Sequence, residues 1–119
     1  MGRYILDGRR PVPCPDLATW VRWLKRTDRH VAWSIRGGVD VSTFFLGRDH
    51  NPEPVGAPLL FATTVLSGPL DGEIVLYVTW SEAEDGHYRM CKRALPPSLV
   101  RRMMVWLVRI FRSSRGLSE

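Results

Sequence analysis

Hydrophobic residues recur along this chain at two spacings, and each change of spacing marks an element. Tyr4–Leu6 and Arg9–Val12 flank Asp7-Gly8, a dipeptide suited to a two-residue hairpin turn because both central positions favour positive φ. Pro11 and Pro13 make the second arm an edge strand, since neither donates a ladder hydrogen bond. The spacing then becomes helical. Leu17, Trp20, Val21 and Leu24 fall at i, i+3, i+4 and i+7, behind Asp16, whose carboxylate can cap the first turn. Arg22, Lys25 and Arg26 lie off that stripe and toward the negative end of the helix, and Trp23 lies partly off it.

Period two returns after His30. Val31, Trp33 and Ile35 alternate before Gly37-Gly38, and Val39, Val41, Thr43 and Phe45 alternate after it, which predicts a hairpin with these residues on its core face. Phe44 and Leu46 point the other way, so the end of the second strand is expected to be covered on both faces. Residues 51–58 contain Pro52, Pro54, Gly56 and Pro58 and read as a loop. Leu59–Ser67 and Glu73–Thr79 read as two further strands, joined by a turn that holds Gly68, Pro69, Asp71 and Gly72.

Thr79 and Glu82 have capping-box spacing and open a second helix, which Pro96-Pro97 ends. A third helix is expected from Ser98, with Val100, Met103, Met104, Leu107 and Phe111 on one stripe and Arg101, Arg102, Arg109 and Arg112 around it. The order predicts an α+β fold: an antiparallel sheet of roughly four to six strands with helices packed on one face, plus a C-terminal amphipathic helix. The domain is expected over residues 1–95, with a basic amphipathic helix and tail over 96–119.

The 119 residues, 45% hydrophobic and 24% charged, support one ordinary core and not two. The charge is uneven. Residues 1–87 hold nine Lys/Arg against eleven Asp/Glu, whereas residues 88–119 hold eight against one. The basic character belongs to the C-terminal part, which changes the picture from a basic domain to a near-neutral body with a cationic contact surface. That surface is expected to pack on its own domain, to self-associate or dock on a protein, or to meet an anionic membrane or nucleic-acid phosphates. Cys14 and Cys91 are far apart and form no metal-ligand pattern, so reduced thiols are expected. Neither a signal peptide nor a membrane-length apolar run is present, and a soluble cytoplasmic protein is expected.

The densest candidate chemistry is Arg48-Asp49-His50-Asn51, at the end of a predicted strand. Histidine is the side chain best poised for proton transfer near neutral pH. Adjacent residues in a strand point apart, however, and Asp49 serves equally as a turn cap. His87 shares a helix face with Ala83, Met90 and Ala94 and reads first as a satisfied core group. No phosphate-binding loop and no Gly-x-Ser-x-Gly elbow is present, and no cofactor or metal is implied. Of the five tryptophans, Trp20 and Trp33 fall on core stripes, Trp80 is placed to cover a sheet edge, and Trp23 and Trp106 are the expected exposed pair.

The segments Leu6–Val12, Asp16–Leu24, Val41–Asn51, Pro58–Glu73 and Tyr77–Met90 resemble a group of small bacteriophage and bacterial proteins with no assigned activity. Its members share strands of the form V-S-T-V-F-L-G-x-D-H and P-L-L-F-E-T-M-V-F-G-G, and a junction Y-x-T-W-x-E-A-x-x-G-H. Ser42, Thr43, Asp49, His50, Thr79, Trp80, Glu82, Gly86 and His87 fall on the shared positions, and Ala62 departs where the pattern has Glu. The likeness spans residues 4–90 and stops before the basic segment. It implies a phage or prophage accessory protein.

The leading expectation is therefore a non-enzymatic accessory protein that binds a host protein, with Arg48, Asn51, Arg101, Arg102, Trp106, Arg109 and Arg112 as contacts. One alternative is a small-ligand or nucleotide binder, or a small hydrolase, with a pocket between the sheet and the second helix formed by Asp49, His50, Thr79 and His87. The other is a nucleic-acid binder acting through the tail arginines.

Overall fold

A computed structural model describes residues 2–53 and 55–97. The elements are β1 (Tyr4–Asp7), β2 (Arg10–Pro13), α1 (Leu17–Arg26), β3 (His30–Arg36), β4 (Val39–Phe45), β5 (Phe61–Leu66), β6 (Ile74–Tyr77) and α2 (Trp80–Ala94). β1 and β2 form a two-stranded hairpin, while β3-β4-β5-β6 form an antiparallel sheet in sequence order. The fold is α+β, as the alternation of periods predicts. The helix expected from Ser98, with Arg101, Arg102, Trp106, Arg109 and Arg112, lies outside the described residues. No described helix is long and apolar enough to cross a membrane.

Antiparallel pairing sorts side chains by face, because directly opposed residues share one. Val41 opposes Val65, Thr43 opposes Thr63, and Phe45 opposes Phe61, which in turn opposes Tyr77. All six of the first-named β4 and β5 side chains are essentially fully buried. Ala83, Met90 and Ala94 of α2 join them from above, at helical spacing. α1 reaches the same face, with Trp23 edge-on to Phe45 at a ring separation of 5.7 Å. Trp23, expected to be exposed, is thus half-buried against the core, where its contact with Phe45 widens the apolar stripe of α1. Trp20 is half-buried and donates its indole N–H to the carbonyls of Tyr4 and Gly47.

Three local predictions need correction. The first hairpin turns at Gly8-Arg9, since Asp7 pairs with Arg10, and only Gly8 takes positive φ (+64°). That suits a type II′ turn rather than one centred on Asp7-Gly8. The strands expected over Leu59–Ser67 and Glu73–Thr79 are shorter, Phe61–Leu66 and Ile74–Tyr77. Trp33 and Ile35, expected in the core, are 60% and 58% exposed. The cause is a register shift between His30 and Ala32. An extra residue in one strand reverses the alternation beyond it, so Val31 faces the core but Ala32 and Ser34, not Trp33 and Ile35, continue that face. The second hairpin turns at Gly37-Gly38, both with positive φ, as its sequence predicts.

Candidate functional site

The Asp49 loop is held by its own polar groups. Asp49 accepts the backbone N–H groups of Asn51 (2.8 Å) and Leu59 (2.9 Å) on one carboxylate oxygen. Asn51 in turn accepts Glu53 N–H and donates to the Ala57 carbonyl. The chain from Gly2 to Tyr4 runs beside the loop, through Tyr4 N–H to Gly47 and Asp49 N–H to Gly2. Arg48 and His50 project outward, with His50 Nδ1 2.8 Å from the Arg48 carbonyl. Thr79 caps α2, with its hydroxyl accepting Glu82 N–H while Glu82 accepts Thr79 N–H. It borders a second cleft between the first hairpin and α2, where Arg9 lies over the Trp80 ring at 5.3 Å. The four residues expected to share a ligand pocket thus hold separate local structures, and no described hydrogen bond joins one to another. Among the described residues, no three His, Cys, Asp or Glu side chains lie together as metal ligands would. Cys14 and Cys91 are both free thiols.

His87 is the exception in character. α2 presents it over the middle of the sheet, where it is 7% exposed. Its Nδ1 lies 2.7 Å from Thr43 Oγ1 and its Nε2 2.9 Å from Ser34 Oγ. Thr43 also bonds Thr63, which accepts the Tyr77 hydroxyl at 3.0 Å. With Tyr77 donating to Thr63, the economical order is Thr63 to Thr43 and Thr43 to Nδ1, because each buried hydroxyl has one proton to place. That order leaves the imidazole proton on Nε2, donated to Ser34. A histidine in this tautomer cannot take the Ser34 proton as a general base would. Its pKa is lowered from the ordinary value by burial, which keeps the ring neutral and the network intact. Ser34 is left with its own hydroxyl proton free to turn outward.

Outward from Ser34 lies a groove of about 550 Å³ between β3 and α2, lined by Ser34, Arg36, Glu84, His87, Tyr88 and Lys92 among others. β3 is an edge strand. Arg36 and Val39 close a two-residue turn, so Arg36–Val39 and Ser34–Val41 are the hydrogen-bonded pairs. Trp33 and Ile35 therefore turn their N–H and C=O groups to the free edge, along the groove. Arg36 donates to the Pro96 carbonyl at 3.2 Å, and Lys92 sits 4.5 Å from the Tyr88 ring centre. Two cations and one carboxylate, Glu84, give the groove a positive balance. Sequence reading expected a pocket between the sheet and the second helix with His87 in it, but missed Ser34, because the bulge before Ala32 that turns Ser34 inward carries no glycine or proline to mark it; Asp49, His50 and Thr79 do not line this groove. Searches against protein-family models, curated proteins and solved structures give no match for this chain.

Proposed function

We propose that this protein works by binding another protein, taking an extended segment of its partner as an added strand along β3. The observation that carries the reading is the groove beside a seven-residue edge strand whose Trp33 and Ile35 backbone groups are left free along that edge. A slot between an edge strand and a helix accepts a strand through main-chain hydrogen bonds, while pockets for alternate side chains give selectivity. Arg36 and Lys92 favour an acidic residue in that segment. The likeness to small phage and bacterial proteins supports a host protein as the partner, occlusion of the bound segment as the mode of action, and a cytoplasmic setting. The exposed Arg48 is a further contact at the far end of the sheet.

Selection of a displayed peptide library on the full chain tests this. Proline-free sequences with an acidic residue should be enriched. Ile35→Pro removes an outward N–H that the ladder does not use, and should weaken the selected peptides at least tenfold with the circular dichroism unchanged. Arg36→Glu leaves the backbone alone and should reverse the charge preference. Binding that survives both substitutions would remove the reading.

A further inference from the structure

The sheet has a second face, and no described element covers it. Trp33 and Ile35 of β3, Leu66 of β5 and Ile74 of β6 all point to it, with exposures of 58–63%. Phe44 and Leu76 lie half-buried in the adjoining rung of the same face, on either side of Ala62. Opposed pairing places these residues together: Ile35 with Asp40 and Leu66, Trp33 with Ser42, Thr64 and Ile74, and Phe44 with Ala62 and Leu76. The four large apolar side chains connect through Phe44, Ala62 and Leu76 around Asp40, Ser42 and Thr64, which makes one patch rather than the scattered exposure that needs no explanation.

We propose that this face is covered by residues 98–119 of the same chain, packed through Val100, Met103, Met104, Leu107 and Phe111. Three observations select this occupant. The first is where the described chain leads. After α2, Pro96 lies against the β3–β4 turn: its carbonyl accepts from Arg36, and a Cβ on Gly37 would come within 2.7 Å of its ring. That turn is an end of the sheet, from which either face can be reached.

The second is length. Twenty-two residues from 98 to 119 form about 33 Å as a helix, against about 23 Å for the seven-residue strands β3 and β4. The third is complementarity. The segment carries an apolar stripe that needs a surface to bury it, and the sheet carries an apolar surface that needs a cover. The carboxylate on the open face next to that turn is Asp40, which accepts Trp33 Nε1–H at 3.0 Å and the Ser42 hydroxyl at 2.8 Å. It suits the arginines at 101 and 102, which follow Pro97 within one turn and a half. Covalent attachment makes the docking intramolecular, so a weak contact suffices. The result is a sheet between α2 on one face and the C-terminal segment on the other. It leaves the β3 edge open, so it stands independently of the proposed partner site.

The test is photo-crosslinking of the full chain with p-benzoylphenylalanine at position 74, using an equal mixture of light and ¹⁵N-labelled protein. Crosslinks should join position 74 to residues 98–119 within one isotopic species, with at least tenfold higher yield than from position 88 in the groove. The double substitution Met104→Asp and Leu107→Asp, which alters no described residue, should abolish them. Mixed-isotope crosslinks would assign the face to a second copy and overturn the proposal. Crosslinks elsewhere, none at all, or crosslinks that survive the double substitution would overturn it as well.

Discussion

His87 is held by a hydroxyl at each ring nitrogen and sits in a place where a charge is costly. Burial lowers its pKa below the ordinary 6.5. An unfolded chain takes up a proton on this ring near pH 6.5, and the folded chain resists doing so. Its contribution to stability is therefore present above pH 6.5 and is lost as pH falls toward the depressed folded value. His87→Gln should flatten the loss of stability between pH 7 and pH 5 in urea unfolding; a slope parallel to that of the parent protein would exclude this role. The residue was legible in the sequence as a core histidine, from its spacing with Ala83, Met90 and Ala94. Its partners were not, because Ser34, Thr43 and Thr63 come from three strands whose register no local pattern fixes.

At the scale of the element, α2 shows how close contact selects a residue against helix propensity. A methyl group at Gly86 would overlap the Tyr77 ring and hydroxyl. Alanine gains about 1 kcal/mol of intrinsic helix preference over glycine, but overpacking costs about 1–3 kcal/mol and more where nothing can move. Tyr77 is pinned by its bond to Thr63 and by Phe61 beside it, so the clash should win. Gly86→Ala should lower the stability of the full chain by up to about 2 kcal/mol net of the two effects; a gain in denaturation midpoint would show that α2 slides freely on the sheet. The capping box at Thr79 was legible because its two partners lie three residues apart. The outward rotation of Trp33 was not, since it depends on a bulge set by pairing with β4.

At the scale of the molecule, the sheet has one face covered by α2, with the first hairpin and Trp23 of α1 packed beside it, and one face bare among the described residues. Ile74 gives that contrast a number. At 63% exposure, its replacement by threonine should change stability by no more than about 0.5 kcal/mol if solvent is its neighbour. If residues 98–119 cover it, the same replacement removes buried apolar surface and should cost about 1–2 kcal/mol in the full chain. Urea unfolding of Ile74→Thr separates the two.

The sequence by itself determined what adjacency and periodicity control: the α+β class, the order of elements, the Gly37-Gly38 turn, the caps at Asp16 and Thr79, and the concentration of positive charge after residue 87. These depend on residues within a few positions of one another. The tertiary structure decided what depends on register and approach between distant segments. It turned Trp33 outward and Trp23 inward, joined Ser34 to His87 across 53 residues, spent Asp49 on its own loop, and opened a groove beside β3. A one-residue shift in pairing reverses every side chain beyond it while leaving the local sequence pattern unchanged, so only the paired strands could place those residues.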